Sequence, residues 1–437
     1  MPKALVLTVG TTLDPLIKSI EEAFPDEPPS VFLLCGKPFP GQNSSPIEIA
    51  KKVYGFVKGK RGEIIHTEIV ENPDSFSESI RGAKELIAKA QDYEELIVDI
   101  TCGTKVLSGS LLHVSLNTYL RTSKVKLRYV SGERRGENGR VLSPSMKIKE
   151  DLETVTGQAI EEMVENINLC NYAGALHLAV TLPQTGILGV FRKSVEALAF
   201  WDNFQYEKSM KILREISVEV ELLKSYRRYS TIELMETIQR LKTIALKHLQ
   251  EPLYYLKNLC NKNKVKRKCQ WEDFYYLIAD ILENASRCHL RHDFSGSILR
   301  SYRALESTIQ IRLLQKGINP WEVKGETIPE DVRNRYINLS HNGRIPSRIT
   351  LNNGVTMLRA LGIPWGTEEE KHLQFLQENR NLCFLEHGYL ERSEGESEDV
   401  LKKTVSLIQG VLEISLSPYL KKVRHFQSHE KGSPLAL

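Results

Sequence analysis

Little in this 437-residue chain is extreme, and what it lacks already narrows its chemistry. Its seven cysteines include no CxxC pair, and an odd, scattered set does not make a disulfide framework, so a reducing compartment is expected. No stretch supplies the ~20 unbroken apolar residues of a membrane helix. The most apolar one, from Ala173 to Phe191, is interrupted by His177, Pro183, Gln184 and glycines. The N-terminus, MPKALVLTVGTT, carries one charge before a short β-like run and lacks the apolar stretch and cleavage site of a secretory signal. A cytoplasmic protein without membrane contact is the expectation. Charge of one sign is scarce too: 59 Lys and Arg face 55 Asp and Glu, and a net +4 neither demands nor excludes nucleic acid. The chain has no GxGxxG after its first strand and no GxxxxGK[ST] anywhere, which disfavours a dinucleotide-dependent oxidoreductase and a P-loop ATPase. No cluster of carboxylates suggests a two-metal nuclease.

What is present is ordinary globular composition, 41% hydrophobic and 26% charged, in a chain long enough for two or three domains of the usual ~150 residues. Up to about residue 150, short β-branched runs alternate with helix-like stretches. Ala4 to Val9 precedes Leu13 to Ala23, Val31 to Cys35 precedes Ile47 to Val57, and Leu96 to Ile100 precedes Val106 to Leu120. Runs such as LVLTV and LIVDI are apolar on both faces, as parallel strands covered by helices on each side must be. A doubly wound, Rossmann-like α/β domain is expected over 1–150, closed by a hairpin around Gly136, Asn138 and Gly139.

Beyond residue 150 the alternation stops and apolar residues recur at three and four positions, as in Ser230 to Leu249 and Leu401 to Leu412, so the rest reads as all-α. Asn171-Tyr-Ala-Gly-Ala-Leu176 and Asp293-Phe-Ser-Gly-Ser-Ile298 form a weak internal repeat in which each copy resembles a helix N-cap followed by a small face. Chance similarity over six positions is the alternative. The division expected is a helical connecting layer at 151–270, a second helical domain at 271–427 and a flexible tail at 428–437. The run Lys262 to Lys268, five basic residues in seven, reads more readily as a solvated loop than as an RNA contact. Cys288, His289 and His292 lack a fourth partner and stand beside Arg287 and Arg291, so no metal site is expected there.

Two places carry chemistry. Open α/β sheets bind ligands beyond the carboxyl ends of their strands, where strand order reverses. Gly10, Thr11 and Thr12 follow strand one, and Thr101, Cys102, Gly103, Thr104 and Lys105 follow Asp99 and strand four. In the common order these loops face each other across one crevice. Glycines that admit a ligand to the backbone, hydroxyl donors, a lysine and a helix N-terminus suit an anion. A tight turn with a capped helix is the plainer alternative.

The second place is Glu378-Asn-Arg-Asn-Leu-Cys-Phe-Leu-Glu-His-Gly388. Seven helical positions turn by ~700°, so a continuous helix would put Arg380 and His387 on one face, where both could converge on one phosphate. Alternatively, a His before Gly is what a helix C-terminus looks like, with Gly388 as the cap.

The pairing of VGTT with DITCGTK resembles the CARF domain of CRISPR-associated proteins, whose hallmark is a D-x-T-G-G-T-K-like loop; Cys102 departs from it where the first glycine of the pair usually stands. The pattern RNLCFLEHG is similar to the R-x4-6-H motif of HEPN ribonucleases, and DFSGSILRSYRALE, from Asp293 to Glu306, resembles a helix of the HEPN domains associated with CARF domains. The resemblance implies a homodimer that senses a cyclic oligoadenylate through Gly10, Thr11, Thr12, Thr101, Gly103, Thr104 and Lys105. It implies cleavage of single-stranded RNA without metal or other cofactor, leaving 2',3'-cyclic phosphate ends. His387 would move protons, Arg380 hold the phosphate and Asn381 orient either the histidine or the phosphate. Two rival expectations are a sensing regulator or scaffold without nuclease activity, and a sensor that also cleaves its own ligand through Thr11, Thr12 and Lys105.

Overall fold

The computed structural model describes residues 2–38, 45–122, 125–132, 145–150, 152–180, 182, 186–216, 229–261, 269–383, 385–426 and 434–435. The chain divides into two compact units, Met1–Met163 with His177–Pro183, and Val164–Leu176 with Gln184–Leu437.

In the first unit, strands β1 (Lys3–Val9), β2 (Ser30–Gly36), β3 (Glu63–Val70), β4 (Glu95–Asp99) and β5 (Val125–Ser131) alternate with helices α1 (Asp14–Ala23), α2 (Pro46–Gly59), α3 (Phe76–Lys89) and α4 (Lys105–Thr122). The first five strands are mutually parallel and a sixth, β6 (Lys147–Glu150), joins the edge antiparallel to β5. The order is β3-β2-β1-β4-β5-β6, so β1 and β4 are neighbours at the point where the winding reverses. This is the doubly wound sheet expected from the sequence. The turn residues Gly136, Asn138 and Gly139 lie outside the described residues, as does the basic run 262–268.

The two central strands explain the pattern of their sequences. In β1 all six residues from Ala4 to Val9 are buried, and in β4 all four from Leu96 to Asp99, because both faces are roofed by helices. Leu5, Leu7, Val9, Val31, Leu33 and Ile97 pack with Leu16 and Ile20 of α1 and Ile49 and Val53 of α2 into one core. Helix starts are fixed locally: the Ser45 hydroxyl accepts from the Ile47 amide ahead of Pro46 in the first turn of α2, and the Ser75 hydroxyl accepts from the Glu78 amide of α3.

The second unit is helical. It takes in the end of α5 (Leu152–Asn168), from Val164 on, and the first part of α6 (Tyr172–Ala179), followed by α7 (Gly186–Asp202), α8 (Tyr206–Glu215) and α9 (Tyr229–Ile244). A π-helical turn, Ala245–Leu249, carries α9 into α10 (Gln250–Cys260). Then come α11 (Trp271–Leu290), α12 (Phe294–Gln315), α13 (Glu330–Leu339), α14 (Leu351–Ala360), α15 (Thr367–Leu382), α16 (Glu394–Leu412) and α17 (Ser417–Val423).

The internal repeat is a repeated turn. Cys170 and His292 both adopt a left-handed backbone, with φ of 57° and 62°. The next residue of each copy, Asn171 or Asp293, accepts from the amide of Gly174 or Gly296 at 3.1 and 2.9 Å. A Cβ on either glycine would collide with that cap, at 2.4 Å from Asn171 Nδ2 and 2.0 Å from Asp293 Oδ2. The small residue at the fourth position is therefore required by the cap itself.

Around α11 lies a buried polar network. Asp202 accepts from Arg287 Nε at 2.7 Å and Arg291 Nη1 at 2.8 Å, and Asp280 accepts from Trp201 Nε1 and the Tyr206 hydroxyl. Burial opposes ionisation of Asp202, but the attraction of Arg287 and Arg291 outweighs it and holds its carboxyl below the usual range. Burial pushes the Asp280 carboxyl the other way, upward. Of the tail from residue 428, Pro434 and Leu435 are described, and Leu435 is buried with its carbonyl accepting from Arg424.

Candidate functional site

The loops after β1 and β4 touch. A Cβ on Gly10 would lie 2.7 Å from the amide nitrogen of Gly103, and Gly103 itself has φ +95° with Thr8 and Leu107 side chains 3.3 Å from where its Cβ would be. Only glycine meets both conditions at position 103. Beside this contact opens a crevice of about 110 Å3 lined by Gly10, Thr11, Gly103 and Thr104, with Lys37 and Pro73 among the other walls.

Four of the seven sequence-predicted ligand residues thus share one crevice, and the remaining three stand outside its lining. Thr101 is engaged in the scaffold: its hydroxyl donates to Asp99 and accepts from the Val130 amide at 2.7 Å. Asp99 also accepts from the Ser19 hydroxyl at 2.6 Å, and burial raises its carboxyl above the ordinary range against the pull of these hydrogen bonds. Lys105 is the exposed first residue of α4, and Thr12 is half-buried before α1. The Thr104 hydroxyl caps α4, accepting from the Leu107 amide at 3.1 Å and donating to the Pro73 carbonyl at 3.0 Å. Cys102 is buried and its thiol is pushed up to about 12, chiefly by burial, so it packs rather than reacts. Lys37, which pairs with Glu71 at 2.5 Å, went unnoticed in the sequence. The strand-end rule applied to β2 finds it, since it directly follows Gly36.

At the second place the helical geometry expected from the sequence is corrected. α15 ends at Leu382, so Arg380 lies in its last turn while His387 sits in a turn beyond it. Gly388 is not a helix cap either. The chain doubles back so closely that a Cβ on Gly388 would lie 2.1 Å from the Leu382 carbonyl oxygen. The amides of Glu386 and Gly388 donate to the Cys383 carbonyl at 3.1 and 3.2 Å, and that of Leu390 to Leu382 at 3.1 Å.

This turn brings the two groups together by another route. Glu386 Oε2 lies 2.9 Å from Arg380 Nη2 and 3.7 Å from His387 Nε2. One anionic oxygen is therefore flanked by guanidinium and imidazole. His387 is 73% exposed, open to a substrate. Asn381 Oδ1 accepts from Arg380 Nη1 at 3.1 Å, and the guanidinium lies 4.9 Å from the centre of the Tyr302 ring of α12, within cation–π range. Glu386 and Tyr302 both lie within the RNLCFLEHG and DFSGSILRSYRALE segments, but no spacing rule singles them out.

Among the described residues no three His, Cys, Asp or Glu side chains gather as a metal site. Cys288 Sγ accepts from Arg291, His289 Nδ1 lies 3.0 Å from the Ser397 hydroxyl, and His292 occupies its left-handed turn. No described helix is long and apolar enough to cross a membrane.

A six-stranded, mostly parallel sheet with paired glycine loops, followed by a helical unit carrying an Arg–His turn, has the architecture of a CARF domain followed by a HEPN domain. Residues 266–411 match the family described as the Csm6 HEPN domain. The whole chain is similar to the solved structure of Enterococcus italicus Csm6 bound to cyclic hexa-2'-fluoro-hexa-dAMP. The identity is 13% and the TM-score 0.53, over 97% of this chain and 99% of that one, which is a likeness of fold. No curated protein matches the chain. Together these findings support a CARF–HEPN architecture, with the family match lying in residues 266–411.

Proposed function

We propose that the chain is a metal-independent endoribonuclease for single-stranded RNA, switched on by a cyclic oligoadenylate in the crevice between the β1 and β4 loops. The observation that carries it is the meeting of Arg380 and His387 at a single oxygen of Glu386, within the segment matching the Csm6 HEPN domain. A phosphate oxygen of RNA taking that place would receive the guanidinium and face the imidazole.

The chemistry then needs only the substrate's own hydroxyl. The RNA 2'-oxygen bonds to the adjacent phosphorus, the bond from phosphorus to the 5'-oxygen breaks, and the products are a 2',3'-cyclic phosphate and a 5'-hydroxyl. The proton leaving the 2'-oxygen is taken up by an imidazole, and the departing 5'-oxygen gains one. A positioned histidine contributes about 10²- to 10⁴-fold in such transfers. The Arg380 guanidinium offsets charge developing on the phosphoryl oxygens. The described residues of one chain hold one such Arg–His turn, so a two-fold dimer would supply a second imidazole and a two-fold site for a ring-shaped ligand.

The test is cleavage of a fluorescent single-stranded RNA in EDTA, with and without cyclic tetra- or hexa-adenylate, by the wild type and by His387→Ala. Cleavage that needs the ring and vanishes in the variant supports the reading. Cleavage untouched by His387→Ala removes it, and a folded protein that binds the ring yet cuts nothing turns the reading to a sensing scaffold.

A further inference from the structure

From Val332 to Thr367 the sequence contains five arginines, no lysine and not one Asp or Glu, in a chain whose opposite charges nearly balance overall. This segment begins at the third residue of α13, after Glu330 and Asp331, and runs through the loop beyond it and α14. It does not form an even basic surface. It folds into one wall of the groove of about 800 Å3 that α13, α14 and α15 enclose within the helical unit.

The groove's lining is graded. Its floor is apolar, with Val355 and Leu373 buried. Its rim carries Arg344 from the loop and Arg359 from α14, both exposed, and neither guanidinium has a hydrogen bond or ion pair among the described residues. Amide side chains fill the space between: Asn352 accepts from Gln377, and Asn353 from the Tyr336 hydroxyl at 3.4 Å. The one acidic lining residue, Glu370, accepts from Trp365 Nε1 at 3.0 Å. Unpaired arginines above amides and an apolar floor suit a phosphate chain with bases turned inward.

The α15 wall gives the groove a direction. Glu370, Leu373 and Gln377 line it at successive turns, and Arg380 continues the same stripe one turn further on. From Glu370 to Arg380 the helix rises ~15 Å. The only acidic residue of the lining thus stands at the end remote from Arg380.

We infer that this groove is a subsite for single-stranded RNA, in which Arg344 and Arg359 hold backbone phosphates of the nucleotides leading to the bond at Arg380. The inference rests on the ribonuclease reading above and adds to it where the substrate lies.

The experiment uses the full chain and two readouts. Binding of a fluorescent single-stranded RNA carrying 2'-O-methyl groups, which cannot be cut by attack of its own 2'-oxygen, is followed by anisotropy across a salt series. Cleavage of the unmodified RNA is followed in the presence of the activating cyclic oligoadenylate. For Arg344→Ala with Arg359→Ala, binding should weaken at least tenfold, and the slope of log K against log salt should flatten by about 0.7 per arginine. The KM for RNA should rise by a similar factor while kcat stays within about twofold, a split that a general loss of fold would not give. Arg→Lys at both positions should restore part of the salt slope. Wild-type binding, KM and salt slope in the double Ala variant would overturn the subsite and leave the ribonuclease reading intact. A wild type that neither binds nor cuts RNA would overturn both.

Discussion

Arg380 is held by Glu386 at 2.9 Å, so the guanidinium proposed for the substrate phosphate already has a carboxylate on it. The carboxylate and a phosphate compete for the same nitrogens. Glu386→Gln should therefore lower the KM for RNA by about three- to tenfold, whereas Arg380→Ala should lower kcat/KM by about 10²- to 10³-fold. Steady-state kinetics on a short RNA decides it; an unchanged KM in the Gln variant means the pair does not compete with substrate.

Gly388 is required by geometry. With a Cβ only 2.1 Å from the Leu382 carbonyl oxygen, Gly388→Ala cannot keep the turn and must move His387 away from Arg380. Activity should fall at least a hundredfold while the melting temperature changes by no more than a few degrees, because the turn is exposed. Parallel melting curves and cleavage assays test this, and an active Ala variant would show that the turn adapts.

Gly10→Ala makes the corresponding test of the sensor crevice. The added methyl would press on the Gly103 amide at 2.7 Å, forcing the β1 and β4 loops apart. Calorimetric titration with cyclic oligoadenylate should show affinity reduced by at least tenfold, and RNA cleavage should need correspondingly more ligand. Retained affinity would move the ligand away from this crevice.

Acid sensitivity should centre on Asp202. Its folded-state pKa lies below the ~3.9 of an unfolded Asp, so its contribution is fully present above that value and is lost as pH falls through the folded pKa. Asp202→Asn leaves Arg287 and Arg291 without their carboxylate and should cost about 3–5 kcal/mol at pH 7. Urea midpoints for wild type and variant should converge as pH drops below about 4. A gap independent of pH would assign the loss to packing rather than charge.

The sheet was legible because both-face burial writes itself into sequence as unbroken apolar runs, and the switch-point rule then placed the Gly10 and Gly103 loops together. The repeat at Asn171 and Asp293 was legible because a capping side chain and a small fourth residue are a local requirement. The helix spacing proposed for Arg380 and His387 failed for the opposite reason. Chain reversal after Leu382 depends on Gly388 meeting that carbonyl, a contact between residues six apart that no helical or strand period reveals. Nor could periodicity show that the Thr101 hydroxyl is committed to Asp99 and Val130.

The early end of α15 has an energetic consequence. The imidazole of His387 is carried by a segment shaped by three backbone hydrogen bonds, those of the Glu386, Gly388 and Leu390 amides. At about 1 kcal/mol each, they favour this shape over a rearranged one by roughly 3 kcal/mol, or about two powers of ten. A ligand or second subunit that discriminates about a hundredfold between the two shapes would bring a rearranged shape from about 1:100 to about 1:1. Residues on the body of α15 would need several helical hydrogen bonds broken before they could move. The turn therefore puts the catalytic candidate on a segment whose equilibrium is cheaper to shift than that of the helix it follows.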